Sequence, residues 1–544
     1  MSGATRVTQP GLMGRWRVAV SGAAVLAAAA TVVALAAPLG PGTSPPANAI
    51  GGPYGRLLAE SADLGPARSD RVQFTAALSR NARPVQLTDW AIAHAMSVRW
   101  HEGDSWAIVE GAPDAVANAF GIAVHDYRAR RGDVFYASPQ QPDIPQATRG
   151  EVAGLGRILS YTPFREGMPP TPPRDVPDGG LLPTQLLSAY NVTSLTREGY
   201  TGKGATVVVF SFDGFEQQDM DSFADWFNMP RFTPQVIGGM PSQRNGESTM
   251  DLQMVHAVAP DANLVMVNAR PTVQGGAAYE KLGRLMQLVD RQFPGAIWTF
   301  SIGWGCDRLI TAADLAPVRE ALAAAHGHGT TAFDATGDLA GLECRGGHNW
   351  SDPPSPDDVG VDAVASVPEM TAVGGTTLST DSKGRWLAEQ SWYDVPLTQG
   401  TAGGVSQLFG RPSWQNVSSS AGPADRRLVP DVAAVADPFT GVKFVFRQGV
   451  VVGGGTSQAA PVWAGLAAVI NQLLNERALA PLGDFNPLLY EVAKGSAVPG
   501  FRDIEFGGNA ISPGGSGYDM VTGLGSPNIE NLVKNILLIR SVSR

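Results

Sequence analysis

The chain has 544 residues, of which 17% are charged, and its formal net charge is -10. This length exceeds one ordinary domain and allows a large buried core, so we expect two folded units with appended segments. No basic block indicates a nucleic-acid partner. The 64 glycines and 41 prolines stand among long apolar runs, which predicts a loop-rich globular protein rather than a disordered one.

Residues 1–49 are typical of an export segment. Arginines precede an uncharged stretch from Val18 to Ala37, and Ala47-Asn-Ala49 then provides the small-x-small pattern of a cleavage site. The same stretch is long enough to span a bilayer, so an uncleaved N-terminal anchor is the alternative. We therefore predict a secreted or extracytoplasmic monomer, which would contact a membrane only if this segment is retained.

The next region, from about Gly55 to Leu159, alternates helical and strand-like stretches. Ser97 to Gly111 predicts two strands around a Gly-Asp turn, and Pro113 to Phe120 predicts a helix that begins at its proline. A compact α+β module is expected over residues 50–165. Residues 166–185 are rich in proline and glycine, which predicts a linker and a natural cleavage point.

After residue 185 the pattern changes to apolar strands that alternate with helices. The short apolar runs typical of buried parallel strands are Ala205–Phe212, Ala262–Ala269, Ala296–Ile302 and Thr330–Thr336. Tyr279–Arg291 and Leu315–Ala325 predict helices between these strands. This order favours an α/β, doubly wound parallel sheet over residues 186–541, with ligand sites at the carboxyl ends of its strands.

Two carboxylates, Glu247 and Asp251, stand one turn apart on a predicted helix that also carries Met250 and Met254 on the same side. Like charges at this spacing cost about 0.2 to 0.5 kcal/mol even on an exposed helix. Solvated carboxylates at a frayed helix start are the alternative. If the pair is buried, repulsion raises one pKa, and Glu247 can then accept a proton while Asp251 orients it.

Ser457 supplies the matching hydroxyl, because it lies where the turn Gly453-Gly-Gly-Thr456 meets the predicted helix Gln458–Leu474. Free N–H groups and the dipole at a helix start favour a serine anion and a developing oxyanion, although an N-cap serine is the alternative. A carboxylate base still accepts protons in acid, where histidine does not. The combination with Glu247 predicts an acid-working serine hydrolase.

Asp338 follows the predicted strand Thr330–Thr336, where catalytic elements should meet. In acid its protonated carboxyl could donate a hydrogen bond to an oxyanion beside the Ser457 N–H. A turn-forming aspartate is the competing interpretation.

A second cluster near the C-terminus joins Asp503 and Ile504 to the turn from Gly515 to Asp519. Two carboxylates and carbonyls exposed by glycine turns are hard oxygen ligands of the kind that Ca²⁺ prefers. Asx and glycine turns without a metal are the alternative.

Cysteines and histidines give weaker signals. Cys306 and Cys344 are the only cysteines, and the pair is compatible with one disulfide or with two buried free thiols. His256 is interpreted as a helix-end residue, and His326 with His328 as a helix-ending turn rather than a metal site. No histidine has the His-Gly-Thr-His setting that a histidine-dependent subtilisin requires.

Together these motifs resemble those of the sedolisins, the serine-carboxyl peptidases. The resemblance spans about residues 52 to 541, and further matching segments are Ser301–Cys306, Thr371–Thr377, Gly403–Ser406, Pro412–Gln415 and Val429–Ala433. It implies a subtilisin-like catalytic domain and acid-acting hydrolysis of polypeptides through an acyl-enzyme intermediate. By resemblance, Ser457 is the nucleophile, Glu247 the base, Asp251 its partner and Asp338 the oxyanion-hole acid.

The resemblance also implies one bound Ca²⁺. Its ligands would be Asp503, Ile504, Gly515, Gly517 and Asp519, with Ile504 and the glycines contributing carbonyl oxygens. A catalytically silent binding protein on the same fold is the alternative from another functional class. All four catalytic side chains are present, which argues against that alternative.

The module over residues 50–165 resembles the family's activation propeptide in Asp63–Pro66 and Asn118–Tyr127. Such a segment implies a zymogen whose own propeptide inhibits the cleft until acid releases it. Two departures concern the cleft: Leu339-Ala340 follows Asp338 where the family usually has Ser-Gly, and Gly303 stands where a serine is common. They put the substrate preference and the shape of the oxyanion hole in question.

Overall fold

The structure is a computed structural model that describes residues 48–130, 132–163, 165–166, 179–345, 355–394, 399–418, 422–423, 425–495 and 498–542. The predicted export segment therefore lies outside the described residues except for its last two positions. Most of the predicted linker lies outside them as well. Among the described helices, none has both the length and the hydrophobicity needed to cross a bilayer.

The N-terminal module has the α+β composition that the sequence predicts. Its helices are α1 Gly52–Ala59, α2 Val85–Ala93 and α3 Pro113–Phe120. Its strands are β1 Ala62–Pro66, β2 Val72–Leu78, β3 Met96–Arg99, β4 Trp106–Gly111, β5 His125–Arg128, β6 Val134–Ala137 and β7 Val152–Leu155. One antiparallel sheet has the order β3-β4-β2-β7, and the other has the order β1-β5-β6.

This module has a hydrophobic core of its own. Alternate residues of β2, including Val72 and Phe74, point to one face because side chains alternate along a strand. They pack with Leu87 and Ala91 of α2 and with Val116 of α3. The segment therefore buries apolar surface as a unit instead of lying as an unstructured arm.

The larger module follows the N-terminal module in the sequence, and the two-residue strand β8 Arg165–Glu166 comes before its first helix. Its helices are α4 Pro183–Ala189, α5 Thr193–Arg197, α6 Gln217–Trp226, α7 Glu247–Val258, α8 Ala278–Gln292, α9 Ala316–Gly327, α10 Thr456–Glu476, α11 Asn486–Gly495 and α12 Ile529–Val542. Its first strands are β9 Thr206–Ser211, β10 Gln235–Ile237, β11 Asn263–Asn268, β12 Ile297–Phe300, β13 Ile302–Gly303, β14 Thr331–Ala335, β15 Thr371–Thr380 and β16 Trp386–Ser391. The later strands are β17 Tyr393–Asp394, β18 Gln399–Gly400, β19 Gly404–Gly410, β20 Arg426–Val429, β21 Val432–Val435, β22 Lys443–Phe446, β23 Gly449–Val452, β24 Phe501–Arg502 and β25 Ser526–Pro527.

An eight-stranded sheet is the centre of this module. Its order is β10-β11-β9-β12-β14-β15-β16, with β21 also paired to β15. All neighbours are parallel except the β15–β16 pair. From β9 the chain passes to the edge strand β10, returns through β11 beside β9, and continues on the other side of β9 through β12, β14 and β15. This order confirms the predicted α/β doubly wound fold and places a topological switch point between the ends of β9 and β12.

Helices cover both faces of the sheet. Val207 and Val209 of β9 point toward α7 and α10, while Val208 and Phe210 of the same strand point toward α8 and α9. Burial on both faces explains why the strands read as continuous apolar runs rather than as alternating ones. Helices α7 and α10, which carry three of the four predicted catalytic residues, are thus packed directly on the sheet.

The predicted linker differs from expectation at both of its ends. Arg165 and Glu166 pair antiparallel with Gly303 and Ile302, so the chain adds a strand to the larger module where a free segment was predicted. At the other end, α4 begins at Pro183, inside the predicted range 166–185. A proline is favourable in the first helical turn because no N–H is needed there. Pro183 therefore begins a helix, although the prolines of this region were interpreted as turn formers.

Cys306 and Cys344 form a disulfide, with their Cα atoms 4.7 Å apart. Of the two alternatives that the sequence left open, the structure selects this one. It connects the segment after β13 to the segment that follows β14.

Candidate active site

Three strand ends and two helix starts converge on one place in the larger module. Asp213 follows β9, Ser301 follows β12, and Asp338 follows β14, all at the carboxyl edge of the parallel sheet. The N-terminal turns of α7 and α10 bring Glu247 and Ser457 to the same edge. The predicted catalytic residues, far apart in the sequence, therefore meet at the end of the sheet where ligand sites collect.

Glu247 and Asp251 are both buried, and neither is exposed by more than 2%. Every residue of α7 is buried, because the helix packs on the sheet beside α10 and is also covered by α4, α6 and β22. The alternative of a frayed, solvated helix start is therefore wrong. Gly246, just before the helix, has a φ of 109°, a left-handed conformation that favours glycine and turns the chain into the buried helix.

Ser457 is the second residue of α10 and is largely buried at 6% exposure. Gly455 precedes the helix at a φ of 81°, and a Cβ added there would lie 2.7 Å from Oδ2 of Asp338. The glycine thus allows the Asp338 carboxyl to approach the start of the helix. The N–H groups of this first turn have no acceptor within the helix and can serve a developing negative charge.

The two carboxyls of α7 are electrostatically coupled. Burial and then the charge of Asp251 raise the pKa of Glu247 well above its ordinary value, against a lowering by the Ser457 hydroxyl. The Ser457 hydroxyl is thus close enough to act on Glu247, although neither carboxyl oxygen of Glu247 has a hydrogen-bond partner of good geometry. Burial also raises the pKa of Asp251. The pair therefore retains a proton at a pH where isolated carboxyls would both be ionised.

Ser301 connects this pair to Ser457. Its hydroxyl lies 2.9 Å from Oδ1 of Asp251 and 3.0 Å from the carbonyl oxygen of Ser457. It can donate to one of these acceptors at a time, and its hydrogen bond opposes the effect of burial by lowering the pKa of Asp251. Ser301 thus holds the second carboxylate and the start of α10 in a common position.

Asp338 is half-buried and contacts Thr456, the residue before Ser457. Its Oδ1 accepts hydrogen bonds from the backbone N–H (2.8 Å) and the hydroxyl (2.9 Å) of Thr456. The Thr456 hydroxyl accepts in turn from the Gly337 N–H at 3.0 Å. These contacts fix the Asp338 carboxyl beside the first turn of α10.

The two departures from the family pattern both lie in this region. Ala340 has a φ of 57°, so a residue with a Cβ occupies the left-handed conformation for which the family's usual glycine is suited. Gly303 is the residue that pairs with Arg165 of β8. Neither departure removes one of the four side chains predicted to be catalytic.

The predicted calcium ligands are gathered in one loop cluster. The Asp503 Oδ2 accepts from the Gly517 N–H at 2.7 Å, and the Asp519 Oδ2 accepts from the Gly515 N–H at 3.1 Å. No atom lies within 4 Å of a Cβ added at Gly515 or Gly517, so there is open space beside these glycines. Carboxylate and carbonyl oxygens are the ligand type that a hard cation such as Ca²⁺ prefers, and this loop cluster contains both.

The histidines take the structural positions that the sequence predicts. His256 is buried near the end of α7, where its ring stacks on Phe232 and burial lowers its pKa to about 4. His326 ends α9 with ring nitrogens 2.7 Å from the carbonyls of Thr330 and Glu369. Within the described ranges, the one cluster of three metal-ligating side chains comprises the two disulfide cysteines and Asp307, which the disulfide disqualifies.

Two residues of this site, Ser301 and Asp213, had no role assigned from the sequence. Asp213 directly follows the run Ala205–Phe212, and Ser301 lies at the carboxyl end of the run Ala296–Ile302, both of which were predicted as buried parallel strands. A polar residue at the carboxyl end of such a strand is the signal that could have identified them.

The chain is similar to several known proteins over most of its length. No family model matches the chain. It is 32% identical to kumamolisin of Bacillus sp. (strain MN-32) over 481 residues, which are 81% of each chain. It is 28% identical to sedolisin of Pseudomonas sp. (strain 101) over 453 residues (78% of this chain, 73% of the relative) and 27% identical to human tripeptidyl-peptidase 1 over 432 residues (74% and 73%). The solved structure of Pseudomonas sedolisin complexed with two molecules of pseudo-iodotyrostatin superimposes with a TM-score of 0.55 at 26% identity, covering 66% of this chain and 98% of that one.

Proposed function

Because the chain belongs to the sedolisin family of serine-carboxyl peptidases and is a serine-type peptidase, we propose that it is the secreted zymogen of an acid-acting endopeptidase. The observation that carries the proposal is the meeting of Glu247, Asp251, Asp338 and Ser457 at one edge of the sheet. Among the described residues, no histidine side chain belongs to this group of four.

In the first step, Glu247 accepts the proton of the Ser457 hydroxyl while the serine oxygen attacks the carbonyl carbon of the substrate. Burial supports this assignment, because a carboxylate away from water holds a proton more strongly and is a better base. Asp251 shares the negative charge with Glu247 and is itself oriented by Ser301. The pair thus takes the part that histidine and aspartate have in other serine peptidases.

The tetrahedral intermediate carries a negative oxygen, which the N–H of Ser457 and a protonated Asp338 stabilise. A carboxyl donates such a hydrogen bond only while it is protonated, so this step favours acid. The intermediate then collapses as Glu247 returns its proton to the leaving amine and an acyl-enzyme remains on Ser457. Water hydrolyses this ester by the same steps, with Glu247 as base again.

The propeptide would inhibit the cleft by occupying it. Its last described residues, Arg165 and Glu166, pair antiparallel with Gly303 and Ile302, directly after the Ser301 that contacts the catalytic groups. Addition of a strand to an exposed edge is a common way to bind an extended peptide. Since the paired segment is internal to the chain and not a terminus, it supports endopeptidase activity.

Acid should loosen this complex, because carboxylates of the larger module accept its hydrogen bonds. Glu280 accepts from the Arg99 guanidinium (3.0 Å for Nη2), and Glu320 accepts from the N–H and hydroxyl of Ser105 (2.5 Å each). Asp314 accepts from the Arg157 N–H at 3.0 Å. Burial raises the pKa of Asp314, so this carboxyl on its own favours the complex as the pH falls, and the loosening is assigned to the contacts of Glu280 and Glu320.

Acidification of the purified precursor tests the function. The wild-type chain should shorten by cleavage within residues 166–185, and the Ser457→Ala precursor should remain full length over the same time. Dilution distinguishes self-cleavage within one molecule from cleavage by another, and mass spectrometry identifies the bond. If Ser457→Ala precursor is processed alone at the wild-type rate, the serine is not the nucleophile.

We further propose one Ca²⁺ in the C-terminal loop cluster. The carboxylates of Asp503 and Asp519 and the carbonyl oxygens of Ile504, Gly515 and Gly517 would hold it. The ion would lock this loop, and its role would be structural, because the catalytic steps need no metal.

Removal of calcium should lower the Tm of the protein by several degrees, because an ion that binds only the folded state stabilises it. Scanning calorimetry in excess Ca²⁺ and in excess chelator measures the difference. In Asp503→Asn, whose exposed carboxylate is a proposed ligand, the difference should shrink. Asp381→Asn is the matched control, since Asp381 is a carboxylate that accepts turn N–H groups elsewhere. A wild-type Tm that is equal with and without chelator would contradict the site.

Export completes the proposal. The segment 1–49 lies mostly outside the described residues, and its sequence pattern supports cleavage after small residues near Ala49. A disulfide between Cys306 and Cys344 also suits an oxidising compartment outside the cytoplasm.

A further inference from the structure

Asp213, which follows β9, is fully buried beside the start of α7. Its carboxylate accepts three consecutive backbone N–H groups, those of Asn245 at 2.9 Å, Gly246 at 2.9 Å and Glu247 at 3.1 Å. Helix starts are usually capped by the side chain of the preceding residue, but that residue here is Gly246, which has none. Asp213 supplies the missing acceptor from another part of the chain.

Further hydrogen bonds hold Asp213 itself in place. Its backbone N–H donates to the Ser211 hydroxyl at 3.2 Å. The Ser248 hydroxyl, in the first turn of α7, lies 2.6 Å from the Asp213 carbonyl and 2.7 Å from the Ser211 hydroxyl. The end of β9 and the start of α7 are therefore joined through main chain and side chain, and displacement of Asp213 would displace Glu247.

The charge of Asp213 also acts on the carboxyl pair. Burial and Asp251 are the largest causes of the raised pKa of Glu247, and Asp338 and Asp213 raise that pKa further. Burial raises the pKa of Asp251 as well, and Asp213 adds to the increase. Ser457 faces Glu247 from α10 and opposes these effects.

A positive charge lies on the outer side of this segment but has its own partners. The guanidinium of Arg244 lies against Gly214, where an added Cβ would be 2.4 Å from its Nη1. Its Nε donates to Glu216 at 3.0 Å, and its Nη1 donates to the Pro241 carbonyl. The Asp213 carboxylate is thus held by N–H dipoles rather than by a salt bridge.

We propose that Asp213 is a positioning residue that anchors the first turn of the Glu247 helix and keeps a negative charge beside the Glu247–Asp251 pair. The inference rests on the proposed function, in which Glu247 is the base. Asp213, at the end of β9, would thus set both the position of Glu247 and part of its affinity for the proton.

The variant Asp213→Asn tests both parts. Its kcat on a peptide substrate should fall about tenfold to a hundredfold, because an amide offers one acceptor oxygen and places an NH₂ donor against N–H groups. The acid limb of its kcat–pH profile should move to lower pH by about 0.5 to 1 unit, because loss of a negative charge makes the pair easier to ionise. A purely structural residue would lower kcat without moving this limb.

A matched control and a second variant separate charge from position. Asp219 is also a buried carboxylate, and it accepts the N–H groups of Arg447 at 3.0 Å and Gln448 at 2.9 Å, but it does not act on Glu247. Asp219→Asn should lower the Tm and leave the acid limb in place. Asp213→Glu keeps the charge and lengthens the side chain, so it should lower kcat with an unmoved limb.

Wild-type kcat and an unmoved acid limb in Asp213→Asn would overturn the inference. If Asp213→Asn does not fold, Asp213→Glu decides the positioning part: wild-type kcat overturns it, and a reduced kcat with a wild-type Tm supports it, because a purely structural residue would lower the Tm as well. Glu247→Gln distinguishes failure of the inference from failure of the proposed function. Full activity of Glu247→Gln would mean that the proposed base is wrong, whereas an inactive Glu247→Gln with wild-type behaviour of the Asp213 variants would reject the role of Asp213 alone.

Discussion

Replacement of Glu247 by glutamine should slow self-processing of the precursor by roughly 10³- to 10⁶-fold at acidic pH, because an amide of the same shape cannot accept the Ser457 proton. The substitution removes a buried charge without removing volume, so the Tm should be retained or increased. A loss of rate with an intact Tm would therefore report chemistry rather than unfolding.

The measurement is the single-turnover rate of precursor shortening after a jump to acid, followed on gels. Glu476→Gln is the matched control, because Glu476 is an exposed glutamate near the end of α10, the helix that begins beside Ser457. It should process at the wild-type rate. Processing of Glu247→Gln within tenfold of wild type would exclude Glu247 as the base.

The second large effect is expected in stability, at Asp334 in the middle of β14. This carboxyl is fully buried, and neither of its oxygens has a hydrogen-bond partner. Burial and the nearby Asp362 raise its pKa well above the ordinary value. Burial also raises the pKa of Asp362 to about 7, although Asp362 accepts N–H groups of Trp304 (2.5 Å) and Val364 (2.9 Å).

Carboxyls with a raised folded-state pKa favour the folded protein in acid. Between about pH 4, where unfolded aspartates ionise, and about pH 7, where Asp362 ionises in the folded chain, the folded state holds more protons than the unfolded state. The free energy of unfolding therefore falls as the pH rises through this window. The loss reaches its full size once the pH exceeds the folded pKa.

Asp334→Asn should consequently raise the Tm at pH 7 by several degrees and change it little at pH 4, because asparagine resembles the protonated acid and cannot ionise. Calorimetric scans of precursor at both pH values measure the difference. Asp225→Asn is a control in which the Tm should change in the opposite direction. The hydrogen bond from Arg231 lowers the pKa of this exposed aspartate, so loss of the carboxylate should slightly reduce stability at pH 7. An equal Tm change at both pH values would refute the explanation for Asp334.

Most of the fold could be predicted because its signals are local. The runs Ala205–Phe212, Ala262–Ala269 and Thr330–Thr336 became β9, β11 and β14 with ends within one residue, since burial on both faces makes such strands uniformly apolar. The strand β8 could not be predicted. Its two residues have no pattern of their own and are ordered only by the edge of Ile302–Gly303, which is distant in sequence.

Some residues of the candidate site could be predicted from the sequence, and others could not. Glu247, Asp251 and Ser457 were recognisable because a buried-face charge pair and a glycine-flanked serine are unusual locally. Asp213 and Ser301 are ordinary polar residues in the sequence. Their positions at strand ends are visible locally, but their contacts with Glu247 and Asp251 arise only because the fold brings the ends of parallel strands and the start of α7 together.

The bond between Cys306 and Cys344 determines what a proteolytic nick would do to this part of the chain. It closes a covalent ring across 38 positions, which contains α9 and β14. A single nick anywhere inside this ring would leave both halves tethered, with β14 still held between β12 and β15. Damage there would appear on a gel only after a reducing agent is added, and nicked molecules could keep their shape.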